Sequence, residues 1–211
     1  MNAVHRSKPD LRAWLGPAVI ALLGSLALAD LPRELRWVPP WTALVLSIAL
    51  IAAVAISQQR GSRHLVGQLW YALTGLMTLV QVGNILLLLR YLPSKQAVGR
   101  GLFQDAAILL SLNVALFALW YWRLDTGARD ESTINRDFSF SLEDSQTGGR
   151  ETARWQPGFL DYFYLAFITS FSFATADAVA SSTRAKLLVM LQVGSSFLII
   201  GVIAARAIGI F

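Results

Sequence analysis

Five long stretches of this chain carry no charged side chain, and they limit what it can fold into more than any other feature. They are Ala13–Ala29, Trp37–Gln59, Leu65–Leu89, Ala106–Trp122 and Leu187–Ala205. A helix rises about 1.5 Å per residue, so crossing a hydrocarbon core of ~30 Å takes about 20 residues, with roughly 17 as the floor. The first and fourth stretches just reach that floor and the other three clear it more easily. Each is read as a transmembrane helix. Composition agrees: 55% of the 211 residues are hydrophobic and 15% charged, against roughly 25% charged in a soluble domain. Trp37, Trp41, Trp120, Tyr121 and Trp122 stand at the ends of runs, where amphipathic rings favour the headgroup level.

A sixth apolar run is too short. Tyr162–Ala176 lies between Asp161 and Asp177, and as a helix it would extend only about 22 Å. Its second half carries Thr169, Ser170, Ser172 and Thr175. A segment of this length is more often re-entrant or interfacial than spanning. Lipid forbids exposed non-helical backbone, so a re-entrant loop has to be buried in protein or line a water-filled cavity. The expected fold is therefore all-α and integral to the membrane, with five spans plus a short re-entrant helix and loop before the last.

The remaining composition excludes whole classes of chemistry. Eighteen Lys and Arg against thirteen Asp and Glu give a formal charge of +5. Most basic residues border apolar runs and read as interfacial anchors, so the lipid bilayer and not nucleic acid is the expected partner. There is no cysteine and only two histidines, His5 and His64, which removes disulfides, thiolate ligands and Cys nucleophiles. The chain has no glycine-rich phosphate loop and no H-E-x-x-H helix. We expect no enzyme, no metal and no cofactor. The inverted repeat of secondary transporters is not visible either.

The one long polar connection, Arg123–Pro157, holds five Arg and seven acids, among them Asp125 and Asp137. It reads as a solvated linker, with docking of Asp137-Phe138-Ser139-Phe140 on the membrane region as the alternative. The amino end, with His5, Arg6, Lys8 and Arg12 before an apolar run closing in Ala27-Leu28-Ala29, has the layout of a cleavable signal. Its length and its Gly16-Pro17 favour a retained first span.

Gln68, Gln81, Asn84, Asn113 and Gln192 lie inside spans. Neutral amides there serve more often as hydrogen-bond partners between helices than as ligands. Gly194, Ser195, Ser196 and Gly201 permit close approach of the last helix. Asp161 reads as a helix N-cap.

Two further stretches carry a resemblance. Asn113-Val-Ala-Leu-Phe-Ala-Leu-Trp-Tyr-Trp-Arg-Leu-Asp125 closes the fourth span, and Pro157-Gly-Phe-Leu-Asp-Tyr-Phe-Tyr-Leu-Ala-Phe167 precedes Ala185-Lys-Leu-Leu188 and Ala204-Ala-Arg-Ala-Ile208. Together they resemble a family of uncharacterised bacterial integral-membrane proteins, grouped loosely with potassium-channel-like pore proteins. The resemblance implies a three-span region over 1–100 and a pore-unit-like region over 101–211. The latter divides into a span, a loop at 123–157, a re-entrant segment at 158–177 and a last span at 187–205. It also implies a bacterial inner-membrane location and, since each chain supplies one loop, a homotetramer around an axial path.

Aligned on Asp177, Ser172-Phe173-Ala174-Thr175-Ala176-Asp177 falls on the potassium filter pattern T-V-G-Y-G-D. Such filters aim rings of carbonyls inward, using backbone that glycine adopts freely. Alanine holds both glycine positions, Ala174 and Ala176. Left-handed backbone costs an L-residue roughly 1–2 kcal/mol, or about 8–16 kcal/mol over eight positions of a tetramer, comparable to a domain's whole stability. A standard filter is not expected. The expectation is a poorly selective pathway for monovalent cations lined by Thr169, Ser170, Ser172 and Thr175, with a ring of Asp177 carboxylates favouring cations. For Asp177 a helix cap or a salt bridge to Arg184 or Lys186 is an equal alternative. The other functional expectation is a non-conducting scaffold that kept the layout and lost the filter. Twelve of the 18 Lys and Arg fall on the side of the amino end and the long loop, which the positive-inside rule assigns to the cytoplasm. The channel analogy puts that side outside.

Overall fold

A computed structural model describes residues 11–31, 38–60, 62–91, 99–127, 137–140, 157–175 and 178–208. They form α1 (Leu11–Ala27) closed by a 3-10 turn (Leu28–Asp30), α2 (Pro40–Gln59), α3 (Arg63–Tyr91), α4 (Gly99–Gly127), β1 (Phe138–Phe140), α5 (Phe159–Ser172), β2 (Ala178–Ala180) and α6 (Thr183–Ile208). Among the described residues, apart from two three-residue strands, the architecture is helical. Four helices, α2, α3, α4 and α6, are long and apolar enough to cross a membrane, whereas α1 is a shorter apolar helix.

Local chemistry sets the element ends. Pro40 opens α2, where its fixed φ suits the first turn and its missing N–H goes unneeded. At α5, Gly158 is the N-cap and the Asp161 carboxylate accepts its backbone N–H at 2.7 Å. Asp161 thus serves the helix start from the third position, as the acid of a capping box does, and is not itself the N-cap. α4 runs on through Arg123 and Asp125 to Gly127, one turn past its uncharged run.

α4 is the central helix: 61% of its spanning window is buried, against 22% for α6 and 17% for α2. α3 packs antiparallel to it, as Gln81 on Leu109 and Trp70 on Trp122 require. α6 is antiparallel as well, since Asn113 meets Ser196 and Tyr121 meets Gln192. α1 comes close to α5 at Gly16, where a Cβ would stand 2.9 Å from the Phe159 ring. The outward faces carry Leu15, Val19, Trp41, Val45, Leu79, Leu86, Met190 and Phe197. Apolar exposure on that scale marks a lipid-facing surface.

Three expectations are corrected. Tyr121 and Trp122 are buried in the core and are not headgroup anchors; their rings meet Phe138 and Trp70. Asp125 is fully buried on α4 and is not a loop acid. The Asp137–Phe140 patch is docked, not solvated: Phe138, Phe140 and Asp137 are buried. There β1 pairs antiparallel with β2 in the register Phe138↔Ala180, Ser139↔Val179 and Phe140↔Ala178. Alternation sends Phe138 against Tyr121 and Phe140 against Tyr162, which removes two large rings from water where a linker would leave them wet.

Candidate functional site

The short helix α5 defines the site. Its start lies at the end of α4, with Phe159 on Trp122 and the Tyr162 hydroxyl donating to Asp125 Oδ2. Contacts with α6 then keep a nearly constant sequence offset. Gln192 Nε2 donates to the Ala166 carbonyl (2.6 Å) and to Ser170 Oγ (2.8 Å), which stand 26 and 22 positions earlier in the chain. Phe173 stacks edge-on against Phe197, with ring centroids 6.1 Å apart. A constant offset means parallel packing, so α5 and the first half of α6 run side by side in the same direction. Phe197 lies about four turns into α6, or about 21 Å from its start. By Ala178 the chain is back at the end where it entered, because β2 pairs with β1 and the Ser181 N–H donates to the Asp137 carbonyl at 2.9 Å.

A polar seam joins α4, α5 and α6. The Tyr121 hydroxyl donates to Gln192 Oε1. One turn further along α6, Ser195 Oγ donates to Asn113 Oδ1 at 3.0 Å and Asn113 Nδ2 to Ser196 Oγ at 2.9 Å. Gln81 spans α3 to α4, donating to the Leu109 carbonyl at 3.0 Å, and Asn84 is buried. Gln68 is exposed. In lipid an unpaired amide is costly, so each of these bonds fixes a helix pair in register.

The loop residues divide sharply. Thr169 and Ser170 are fully buried inside the chain; Ser170 is held by Gln192, while Thr169 Oγ1 has no hydrogen-bond partner. Ser172, Phe173 and Ala174 are exposed and Thr175 is half-buried. Ala176 and Asp177 lie outside the described residues. Among the described residues Phe173 is the one non-glycine with positive φ (54°), closing α5 as its left-handed cap. Glycine holds such positions without strain. Both Phe173→Gly and Phe173→Ala lose the ring on Phe197, but only alanine keeps the left-handed penalty. The glycine variant is expected to be the more stable of the two by about 1 kcal/mol in detergent unfolding. Equal stabilities would mean the backbone relaxes.

Sequence reasoning missed Tyr121, Asp125 and Tyr162 as network members. The available signal was spacing: Tyr121 and Asp125 stand four apart on one helix face. Between α1, α2, α3 and α4, Ser25, Ser47, Met77 and Gln81 border a cavity of about 20 Å³, room for one water and not for a solute.

Comparison with known proteins adds no relative: no family model, no curated protein and no solved structure matches the chain.

Proposed function

We propose that α4 to α6 form a pore-unit-like module, with α5 a re-entrant half-helix, in a homo-oligomer that passes monovalent cations with poor selectivity. The observation that carries this is the parallel run of α5 beside α6, which ends in non-helical backbone at Phe173–Thr175 about 20 Å in from the start of α6. Backbone of that kind at membrane depth needs protein or water against it. In a single chain Ser172, Phe173 and Ala174 face outward. A ring of copies, four being the expected number, supplies both protein and an axial water path. α1 with its 3-10 turn counts as the first of five crossings, in a bacterial inner membrane. The two alanines argue against a potassium filter, as does the strained residue lying at Phe173.

Purified protein in planar bilayers tests the reading. Conductance with little discrimination between sodium and potassium is expected, lowered by Asp177→Asn. Silence across cations and voltages, together with a monomeric or dimeric mass, overturns it.

One observation favours a second reading, a non-conducting scaffold. Ser170, Gln192 and Asn113 spend their polar groups inside one chain, and the rings exposed around the tip are Phe167, Phe171, Phe173 and Phe197. A greasy tip suits docking better than ion passage. On this reading Asp177→Asn changes neither leak nor selectivity.

A further inference from the structure

Arg123 is the least explained charge in the described structure. It sits one turn before the end of α4, half-buried, with its Nε enclosed and without a hydrogen-bond partner. Its guanidinium lies over the Tyr71 ring, 4.6 Å from the centroid. Nη2 rests against Gly67 so closely that a Cβ there would meet it at 2.9 Å. Among the described residues no carboxylate pairs with it. A guanidinium carries five N–H donors in a fixed fork. Here one face is stacked on an aromatic ring, a cation–π contact that orients the fork but satisfies none of its donors. His64 and Gln68 are exposed on either side of Gly67 along α3, as is Tyr71. The groove between α3 and α4 is therefore accessible beside the guanidinium, about 6 Å from the end of α4, where the turn beyond the apolar run reaches headgroup level.

We propose that this groove binds the phosphate of an anionic phospholipid headgroup. Arg123 holds the phosphate oxygens, Tyr71 backs the guanidinium, and Gly67 leaves room for it. The chemistry fits: guanidinium and phosphate match as a two-toothed, charge-assisted pair, and phospholipid phosphate is the abundant anion at that depth. At the same end of the helices Arg60, Arg184 and Lys186 are exposed, which favours lipids of net negative charge over zwitterionic ones. The inference is independent of whether the protein conducts.

The test uses the full-length protein, delipidated in detergent and titrated with phosphatidylglycerol, phosphatidylcholine or inorganic phosphate. Retained lipid is read by native mass spectrometry and protection by the thermal midpoint. Phosphatidylglycerol is expected to bind and raise the midpoint, and Arg123→Gln to weaken that binding roughly tenfold, the scale of one charged hydrogen-bonded contact. Gly67→Ala keeps the charge but pushes the guanidinium off its seat, so it is expected to weaken binding as well. It carries the test alone if Arg123→Gln does not fold. Arg90→Gln, at the exposed far end of α3, removes the same charge and is expected to leave binding unchanged. Equal binding by wild type and both groove variants overturns the proposal. So does an equal loss in Arg90→Gln, which signals diffuse attraction. Equal protection by phosphatidylcholine or by inorganic phosphate overturns the assignment to an anionic lipid.

Discussion

Replacing Gln192 by leucine is expected to destabilise the protein by about 2–3 kcal/mol, mostly through one stranded hydroxyl. The side chain is fully buried and accepts from Tyr121 while donating to Ala166 and Ser170. Leucine has nearly the same bulk and suits the apolar surroundings, so packing changes little and the loss is polar. Ser170 can turn to a carbonyl one turn back on its own helix, and the Ala166 carbonyl keeps its helical bond. The Tyr121 hydroxyl, also fully buried, is left with nothing, a penalty of about 1–3 kcal/mol. The interhelical bonds themselves add about 0.6 kcal/mol each, up to roughly 1.7. Combining Gln192→Leu with Tyr121→Phe should therefore cost less than the two single changes summed, because the stranded hydroxyl is gone. Unfolding in mixed micelles reads all three. Strict additivity would remove the seam from the account of what holds α5 in place. So would a Gln192→Leu protein within about 0.5 kcal/mol of wild type, the range of an inconsequential surface change. Among the described residues both side-chain hydrogen bonds between α5 and α6 come from Gln192, so amide exchange over Phe167–Ser172 should quicken in the same variant.

The second large effect is expected at the opposite end of α5. The Tyr162 hydroxyl donates to the Asp125 carboxylate, and both residues are fully buried. Tyr162→Phe keeps the ring that packs edge-on against Phe140 and deletes the hydroxyl that makes this bond. A hydrogen bond to a charged group contributes about 1.5–3 kcal/mol, and that is the expected loss. Asp125→Asn should be milder than Asp125→Ala, because an amide oxygen still accepts from the phenol whereas alanine strands it and opens a void. The same unfolding assay ranks the three. Should Tyr162→Phe prove neutral, the start of α5 is held by its rings alone.

These two anchors show which parts of the molecule could be read in advance. Spans were legible because a run of uncharged residues longer than about 17 has few other homes, and four of the expected helices are long and apolar enough to cross. The brevity of the Tyr162–Ala176 run was legible for the same arithmetic reason, and α5 is a helix of only 14 residues. The β1–β2 ribbon was not: its strands are too short for a period to register, and its partners lie on either side of the whole of α5. Tyr121 and Trp122 misled because an aromatic residue at a run's end normally marks the headgroup level. Here the helix runs on for another turn and carries them inward. Asp125 misled likewise, since a lone acid beyond an apolar run is ordinarily solvated, and here a hydrogen bond from Tyr162 helps to make burial tolerable. The side-chain fork of Arg123 over Tyr71 depends on which faces of α3 and α4 meet, which periodicity alone does not fix.

The two-stranded ribbon has a consequence for anyone who lengthens the chain. One extra residue between Phe138 and Phe140 would put the second ring on the opposite face of the pleat. A scan of single-glycine insertions should therefore fail across this short strip, where both rings have to point the same way.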